Sequence, residues 1–396
     1  MLKGKTIVIG VTGSIAAYKI ANLCSMLKKL NACVHVIMTK NACNFINPIT
    51  FETLTGNKCL VDTFDRNFEF NVEHVSLAKK ADLFMVAPAS ANIIGKIRAG
   101  ICDDMLTTTL FAFNKGAKIL APAMNTNMYE NPILQDNLKA LENYGYEIVE
   151  PVVGNLACGD TGKGKMASEE ELLDRILYHL AYEKDLCGKK ILVSAGPTKE
   201  AIDPVRYITN HSTGKMGYAI ANNAYLRGAD VTLVSGPSLV KCYAGINKID
   251  IVSANDMYNQ IKDNYKENDY IIMCAAVADY TPLNVSSNKI KKSDDDLSIN
   301  LTRTIDILKF LGENKQENQK IIGFSMETED LIDNSIKKLK KKNADMICAN
   351  SINSNTTGFG VDTNLITLIK KDSVKELPFA KKNDLANMIL DEIKNL

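Results

Sequence analysis

Two stretches of this chain share the pattern of a first β-strand, in which a glycine and lysine precede a run of apolar residues. They are Gly4–Ile9 and Gly188–Val193, and each leads to a glycine turn, at Gly13 and at Gly196. Two first strands predict two separate sheets. The length agrees, because 396 residues exceed the roughly 100–200 residues of an ordinary domain.

A predicted helix marks the end of the first half. Ser168-Glu169-Glu170-Glu171 has the Ser-x-x-Glu pattern of a capping box, which predicts a helix running through about Tyr182. Residues 183–187 then serve as a linker before the second first strand. We therefore predict one domain over residues 1–186 and another over residues 187–396.

Short apolar runs alternate with helical patterns in both halves, which is typical of an α/β fold with a parallel sheet. The runs in the first half are residues 33–38, 83–87, 118–121 and 147–149. Those in the second half are residues 230–234, 270–277, 321–324 and 345–349. The sequence predicts two doubly wound, Rossmann-like domains with parallel sheets, whose ligands bind at the carboxyl ends of the strands.

The overall charge excludes several kinds of partner. Lysine and arginine total 47 against 46 for aspartate and glutamate, so no global field attracts the chain to nucleic acid or to an anionic membrane. No apolar run approaches the ~20 residues that span a bilayer, and no signal peptide precedes the first strand, so we expect a cytoplasmic protein. The ten cysteines contain no Cys-x-x-Cys pair and the four histidines no His-Glu-x-x-His, which excludes these zinc motifs.

The first glycine turn, Gly10–Ala16, places glycines and a hydroxyl where a helix N-terminus presents N–H groups to a phosphate. The spacing differs from Gly-x-Gly-x-x-Gly, which disfavours a dinucleotide and favours a mononucleotide such as FMN, although an ordinary strand-to-helix turn has similar residues. Two later strand ends suit a flat ring. Pro88–Asn92 offers small, hydroxyl and amide side chains, and Asn125 lies between the thioethers of Met124 and Met128.

These residues, together with His74 and the segment Ala157–Met166, resemble phosphopantothenoylcysteine decarboxylase, an FMN enzyme of coenzyme A biosynthesis. The resemblance covers the whole first half, although Tyr129 stands where the family usually has tryptophan. It implies a flavodoxin-like, FMN-binding flavoprotein domain whose flavin lies between the subunits of a trimer. The residues implied to contact FMN are Gly13, Ser14, Ile15, Thr39, Phe45, Ser90, Ala91, Asn92 and Ile93.

The reaction implied by this resemblance oxidises the substrate's cysteinyl thiol to a thioaldehyde, with FMN as the hydride acceptor. The carboxylate then leaves as CO2 and the hydride returns. The base, the amide that orients the carboxylate and the acid are by resemblance His74, Asn125 and Cys158, and Met166 is an implied substrate contact. On residue type alone, each of the first three would be interpreted as a packing or surface residue.

The second half has two segments suited to anions. Asp203–Gly217 contains Arg206, Lys215 and glycines at a predicted helix start, although a capped loop would look similar. Met273–Asp279 ends a buried strand and precedes several lysines that could converge on an aspartate, which predicts binding of a magnesium triphosphate. The basic run at residues 337–342 taken alone is more typical of a solvated helix face.

This pattern, with Asn210–Gly217 and Lys289–Lys292, resembles phosphopantothenate–cysteine ligase to near the C-terminus. The resemblance implies that CTP activates 4′-phosphopantothenate to an acyl-cytidylate, which the L-cysteine amine attacks. Asn210 would orient the acyl-cytidylate, Lys289 would stabilise charge at the α-phosphate, Arg206 would bind substrate and Asp279 would bind Mg2+. The residues implied to contact CTP are Met273, Cys274, Ala275, Asp279, Lys289, Ile305, Asp306, Ile307, Leu308, Phe324, Lys338 and Lys342, with Ile305 where the family usually has proline.

Both halves in this order resemble the bacterial bifunctional enzymes of coenzyme A biosynthesis. The implied assembly is a homo-oligomer based on a trimer of first domains, with a dimerising second domain. Residues 158–166 and 282–300 interrupt the α/β rhythm and are predicted to be flaps over the two sites, although a solvated hairpin would explain the charges of the second. Two rival functions are an NAD-dependent oxidoreductase, which the glycine spacing disfavours, and a non-catalytic flavoprotein regulator, which the combination of His74, Asn125 and Cys158 disfavours.

Overall fold

The computed structural model describes residues 1–63, 73–155, 161–292, 297–327, 330–351 and 360–396. The chain divides into two compact units, Met1–Tyr182 and Glu183–Leu396. Within the described ranges, no helix combines the length and the apolar character needed to cross a membrane.

The first unit is an α/β sandwich. Its strands are β1 (Thr6–Val11), β2 (Cys33–Met38), β3 (Leu83–Ala89), β4 (Ala117–Pro122), β5 (Tyr146–Ile148), β6 (Val152–Asn155) and β7 (Thr161–Lys165). Its helices are α1 (Ala17–Lys29), α2 (Pro48–Thr55), α3 (Glu73–Lys80), α4 (Ala91–Ala99), α5 (Met105–Ala112), α6 (Thr126–Tyr129), α7 (Pro132–Asn143) and α8 (Glu169–Leu180), with a 3₁₀ turn at Ala42–Asn44.

The main sheet of this unit has the strand order β2-β1-β3-β4-β5. All four pairings are parallel. This is the flavodoxin-like order, which places a ligand where the order reverses, between β1 and β3. Every residue of β3 is buried, as expected for a central parallel strand covered by helices on both faces.

The second unit is a larger α/β sandwich. Its strands are β8 (Lys190–Ala195), β9 (Lys199–Ala201), β10 (Tyr207–Thr209), β11 (Asp230–Ser235), β12 (Asn247–Asp250), β13 (Tyr270–Met273), β14 (Tyr280–Pro282), β15 (Leu301–Arg303), β16 (Lys320–Glu327), β17 (Met346–Ser351), β18 (Thr363–Asn364), β19 (Ile366–Lys370), β20 (Val374–Glu376) and β21 (Ala380–Lys381). Its helices are α9 (Lys215–Leu226), α10 (Ala254–Asn264), α11 (Ile307–Asn314), α12 (Leu331–Lys341) and α13 (Lys382–Lys394), with a 3₁₀ turn at Tyr265–Glu267.

The main sheet of the second unit runs β12-β11-β8-β13-β16-β17-β19-β20. The first six strands in this order are parallel. They have the Rossmann arrangement, with the order reversing between β8 and β13. β19 and β20 extend the edge as antiparallel strands. The prediction of two doubly wound α/β domains is confirmed, and the antiparallel edge is an addition that the sequence analysis missed.

The linker residues pack with the second unit. The Leu186 side chain is 2% exposed. Its amide donates to the Arg227 carbonyl oxygen at 3.0 Å. Asp185 pairs with the Arg227 guanidinium at 2.6 Å, and this arginine also contacts Asp391 of α13 at 2.8 Å. The second unit begins at Glu183, four residues before the predicted start at Cys187. Asp185 and Leu186 belong to it because their partner Arg227 lies in that unit.

Candidate active sites

A buried hydroxyl joins β1 to β3 at the point where the strand order of the first unit reverses. Thr12 Oγ1 donates to the Pro88 carbonyl oxygen at 2.7 Å and accepts from the Ser90 amide at 3.0 Å. Ser90 is also the N-cap of α4, because its Oγ accepts from the Ile93 amide. The starts of α1 and α4 are therefore held at one edge of the sheet, where their N–H groups can face a common anion.

Two cavities meet at this edge. The larger has a volume of about 880 Å³, and its lining includes the predicted FMN contacts Gly13, Thr39, Ser90, Ala91, Asn92 and Ile93. The smaller, of about 460 Å³, is lined by the predicted residues Gly13, Ser14, Ile15, Ser90, Ala91, Asn125 and Met166. A Cβ added to Gly13 would lie 2.8 Å from the Asn41 Cβ, so the narrow turn between the cavities requires glycine.

Asn125 and Met166 reach the smaller cavity from different elements. Asn125 is the N-cap of α6, and its Oδ1 accepts from the Asn127 amide at 2.9 Å, which fixes the orientation of the carboxamide. Met166 follows β7 and is 1% exposed. Both Met124 and Met128 also line this cavity, so its wall combines thioethers with one oriented amide.

Three predicted residues of the first unit are not brought to these cavities by the described structure. Phe45 follows the 3₁₀ turn and is 50% exposed, outside both linings. His74 lies in the first turn of α3, also outside both linings. Cys158 falls between β6 and β7, outside the described residues.

The β6–β7 hairpin packs against the residues around Asn125. The Met124 amide donates to the Gly164 carbonyl oxygen at 3.0 Å. A Cβ on Gly164 would lie 2.3 Å from the Met124 carbonyl oxygen, so the two backbones approach closely. Tyr129, at the position that usually holds tryptophan, donates its hydroxyl to Glu150 at 2.7 Å, and Lys163 of β7 pairs with the same carboxylate at 2.7 Å. The described part of the β6–β7 hairpin is thus anchored beside Asn125.

Hydroxyls also join the central strands of the second unit where its order reverses. Ser194, which is fully buried in β8, accepts from the amides of Cys274 and Ala275, both at 3.1 Å. Thr198, also fully buried, accepts from the Ala278 amide at 3.0 Å. The loop after β13 is therefore held against the end of β8.

A cavity of about 640 Å³ opens beside this loop. Ten of the twelve predicted CTP contacts line it. They are Met273, Ala275, Asp279, Ile305, Asp306, Ile307, Leu308, Phe324, Lys338 and Lys342. The remaining two, Cys274 and Lys289, lie outside this lining.

The lysines of this cavity are held in place by oxygen atoms. Lys338 Nζ donates to the Phe324 carbonyl oxygen at 2.9 Å, and Lys342 pairs with Asp306. Burial alone would raise the pKa of Asp306, but the Lys342 ammonium and the Lys309 amide more than offset this and lower it. Asp306 thus stays ionised and fixes one cation at the cavity wall.

Ile305, at the position that usually holds proline, lies in a segment fixed on both sides. Thr304 Oγ1 donates to the Ala278 carbonyl oxygen at 2.6 Å, and the Thr304 amide donates to Asp279 O at 3.0 Å. Asp306 then caps α11 through the Lys309 amide at 3.0 Å. These contacts hold the residues on both sides of Ile305.

Asn210 and Arg206 lie on the β9–β10 hairpin and the residues after it. Asn210 Nδ2 donates to the Ala276 carbonyl oxygen at 3.1 Å, which places its carboxamide beside the loop that follows β13. Arg206 instead contacts Asp203 and the Ile290 carbonyl oxygen. Lys289 is exposed in the segment between β14 and β15. The flap prediction for residues 282–300 corresponds to this segment, of which residues 293–296 lie outside the description.

A further cavity of about 150 Å³ adjoins the first turn of α9. Lys215, Cys274, Asn350 and Lys382 line it. Lys382 is only 8% exposed, and burial together with the Lys215 charge lowers its pKa. The Asn350 Oδ1 atom is buried and has no hydrogen-bond partner among the described residues. Sequence reasoning missed Lys382 and Asn350, because neither belongs to a local motif and only the fold brings them to α9.

Asp279 lies at the lining of the 640 Å³ cavity and is exposed. Among the residues that the structure describes, no three His, Cys, Asp or Glu side chains form a group that could hold a metal ion. The exposed Asp279 carboxylate faces the same cavity as Lys338 and Lys342.

Comparison with known proteins identifies both units. Residues 1–181 match the family described as Flavoprotein, and residues 186–396 match the DNA/pantothenate metabolism flavoprotein C-terminal domain. The coenzyme A biosynthesis bifunctional protein CoaBC of Bacillus subtilis is 45% identical over 400 residues, which cover 100% of this chain and 98% of that protein. The chain belongs to the CoaBC family.

Two solved structures resemble single units of this CoaBC family member. A crystal structure of the C-terminal domain of CoaBC is 44% identical, covers 52% of this chain and 95% of that one, and gives a TM-score of 0.46. The FMN-binding protein AtHal3 is 30% identical, covers 44% of this chain and 95% of that one, and gives a TM-score of 0.39. The two family models and the full-length relative confirm the family prediction made from the motifs.

The packing of the β6–β7 hairpin can be tested with a matched pair of glycine substitutions. Gly164→Ala should push β7 away from Met124 and Asn125, at a cost of about 1–3 kcal/mol in local stability. Hydrogen exchange of the Met124 amide should accelerate accordingly. Gly154→Ala in the facing strand meets only the flexible Lys165 side chain, at 3.2 Å, so it should leave this exchange rate unchanged. Equal rates in the two variants would contradict the close approach.

Proposed function

We propose that this CoaBC family member makes 4′-phosphopantetheine in two steps. The second unit joins L-cysteine to 4′-phosphopantothenate with CTP, and the first unit decarboxylates the product with FMN. The observation that carries the proposal is the convergence of ten predicted CTP contacts on one cavity of the second unit. In the first unit, eight of the nine predicted flavin contacts line the two cavities at the strand-order reversal.

The cavities of the first unit fit FMN. The turn at Gly13 and the N-terminus of α4 both line the larger cavity, and a helix N-terminus suits a phosphate. Met124, Met128 and Met166 provide an apolar wall for a flat ring. Bound FMN would supply the hydride acceptor and donor of the decarboxylation.

The side chains of the first unit supply orientation and proton transfer. We propose that Asn125, fixed by its α6 cap, orients the substrate carboxylate beside the flavin cavity. Cys158 would act as the acid from the anchored β6–β7 hairpin, and His74 as the base from the start of α3. Met166, buried at the cavity wall, would contact the pantothenoyl chain.

The second unit supplies positive charge and fixed donors for acyl transfer. A carboxylate oxygen of 4′-phosphopantothenate forms a bond to the α-phosphorus of CTP and pyrophosphate leaves; the cysteine amine then attacks the acyl carbon and CMP leaves. Lys338, Lys342 and Lys289 would neutralise the phosphates. Asn210, held on the Ala276 carbonyl oxygen, would orient the acyl-cytidylate. CTP phosphates and the exposed Asp279 would together hold Mg2+, an ion that commonly takes one or two carboxylates plus substrate phosphates.

We also propose that the 150 Å³ cavity holds the pyrophosphate part of CTP. It combines Lys215 and Lys382 with the glycine-rich N-terminus of α9, and it shares Ala275 and Phe324 with the 640 Å³ cavity. The orphaned Asn350 carboxamide faces the same space. Lys215 pairs with Asp362 at 2.7 Å, and Lys382 Nζ donates to the Val361 carbonyl oxygen at 2.7 Å. One carboxylate beside two ammonium groups leaves a net positive charge, which suits a polyanion.

A homo-oligomer fits the open wall of the first unit. Ile15, Tyr18 and Met128 line the 460 Å³ cavity, yet they are 56%, 60% and 50% exposed. We infer that a neighbouring copy covers them and completes the flavin site, as a trimer of first units would. Dimerisation of the second unit remains a prediction from the family resemblance.

Reciprocal variants separate the two activities. Cys158→Ala should release pyrophosphate at the normal rate but make no 4′-phosphopantetheine, because this acid is needed only for the reduction that follows the loss of CO2. Asn210→Asp should lose ligation by ~100-fold or more, because a carboxylate repels the acyl-cytidylate, while retaining bound FMN. Parallel assays of pyrophosphate and 4′-phosphopantetheine measure both outcomes. Cys33→Ala, at an exposed cysteine of β2, is the matched control and should leave both activities unchanged. Normal formation of 4′-phosphopantetheine by Cys158→Ala would refute the assignment of this residue.

The pyrophosphate subsite predicts a specific role for Lys382. Lys382→Met should raise the KM for CTP by about tenfold, since it removes one charge-assisted contact with a phosphate. Lys371→Met, at an exposed lysine of the same unit, should leave this KM unchanged. Steady-state ligase assays at varied CTP concentration make the comparison. An unaltered KM in Lys382→Met would remove Lys382 from the subsite.

A further inference from the structure

The carboxylate of Asp203 is the centre of a hydrogen-bond cluster between β9 and β10. Its side chain is fully buried. Oδ1 accepts from the amides of Val205 and Arg206, both at 2.8 Å. Oδ2 accepts from Arg206 Nε at 2.9 Å and from Arg206 Nη2 at 2.5 Å. The Arg206 guanidinium holds the pKa of this carboxyl well below its usual range, so the group is ionised at neutral pH.

The same carboxylate reaches across to the segment between β14 and β15. Oδ2 also accepts from the Ile290 amide at 3.1 Å, and Arg206 Nη2 donates to the Ile290 carbonyl oxygen at 2.8 Å. Four residues earlier, the Ser286 amide donates to the Ile202 carbonyl oxygen at 3.0 Å. Residues 286–290 are therefore fastened at both ends to the turn at Ile202–Arg206, and Lys289 lies within the fastened stretch.

The turn at Asp203 also leads directly to Asn210. β10 continues from Tyr207 to Thr209, and Thr209 Oγ1 donates to the Thr198 carbonyl oxygen at 2.7 Å. Asn210 then bonds to Ala276. One buried anion thus fixes the loop that carries Lys289 relative to the hairpin that presents Asn210.

We propose that Asp203 is a positioning residue of the ligase site, which holds Lys289 in place through Arg206 and the Ile290 backbone. This inference rests on the proposed ligase function of the second unit. A lysine on a loosely tethered loop loses conformational freedom whenever it contacts a phosphate, whereas one on a fastened loop has lost much of it beforehand. Arg206 has two of its nitrogen atoms committed to this cluster, so its own contribution is also to hold the loop.

The test compares Asp203→Asn with Ile290→Pro in the full-length protein. The first substitution replaces an acceptor oxygen with a donor inside the cluster. The second removes the N–H that the loop donates to Asp203 and also restricts the backbone of Lys289, the residue before the proline. Asp250→Asn is the matched control, because Asp250 is an exposed carboxylate that pairs with Lys248 at the edge strand β12. Two readouts are needed: trypsin cleavage after Lys291 or Lys292, which neither substitution changes as a recognition site, and kcat for pyrophosphate release from CTP and 4′-phosphopantothenate.

Both test variants should be cut in this segment about tenfold faster than the wild type, and their kcat should fall by about tenfold. The KM for CTP should change less than kcat. Combining Asp203→Asn with Lys289→Ala should give a kcat close to that of Lys289→Ala alone. Asp203 acts by positioning Lys289, so its loss has little further effect once the lysine is absent. Asp250→Asn should match the wild type in every assay.

Wild-type cleavage and kcat in Ile290→Pro would overturn the proposal, as would strictly additive losses in the double variant. If Asp203→Asn fails to fold, as seen by circular dichroism, Ile290→Pro still decides the matter from the loop side. Failure of the wild type to release pyrophosphate would contradict the proposed ligase function itself. The cleavage assay, which needs no substrate, would then still report whether Asp203 fastens the loop.

Discussion

Both units depend on buried hydroxyls that join two central parallel strands where the strand order reverses. Thr12 bonds to the Pro88 carbonyl oxygen and the Ser90 amide in the first unit. In the second unit, Ser194 accepts hydrogen bonds from the amides of Cys274 and Ala275, and Thr198 accepts one from the Ala278 amide. Chains leave adjacent strands in opposite directions at such a point and open a crevice, so something must fix the two loops relative to each other. Each hydroxyl fixes the loops by hydrogen bonding to backbone groups that have no partner within the sheet.

The residues assigned to chemistry are placed by these joined loops. Asn125 and Asn210, one in each unit, are both held by a backbone group: Asn125 by the Asn127 amide and Asn210 by the Ala276 carbonyl oxygen. Charged side chains are also held by a partner: Asp306 pairs with Lys342, and Asp203 pairs with Arg206. In the proposed function, side chains that are already fixed lose less conformational entropy when substrates bind. The unit that acts first in the proposed reaction sequence is the second along the chain.

Much of the fold could be predicted because its signals are local. Apolar runs and capping patterns such as Ser168–Glu171 lie within a few residues of one another, and the helix that they predict is observed as α8. The antiparallel strands β19 and β20 were missed because strand pairing depends on distant partners rather than on the run itself. The second unit begins at Glu183, a little before the predicted boundary, and this too depends on distant partners. Asp185 and Leu186 bind to Arg227, about forty residues later.

The sequence analysis predicted some residues of the candidate sites and missed others. The family resemblance led to Gly13, Ser90 and most of the residues that line the 640 Å³ cavity. Lys382 and Asn350 belong to no motif, and only tertiary packing shows that they are buried beside α9. The role of Asp203 was hidden too, because its partner Ile290 is 87 residues away. Predictions for His74 and Cys158 still rest on the family resemblance.

The central claim is that one chain carries two consecutive reactions with separate requirements. The most direct test follows pyrophosphate and CO2 in parallel with purified protein. From 4′-phosphopantothenate and L-cysteine, both products should appear with CTP and neither without it. From 4′-phosphopantothenoylcysteine, CO2 should appear without CTP and without pyrophosphate. A requirement for CTP in this second incubation, or CO2 release from 4′-phosphopantothenate and cysteine in its absence, would contradict the account.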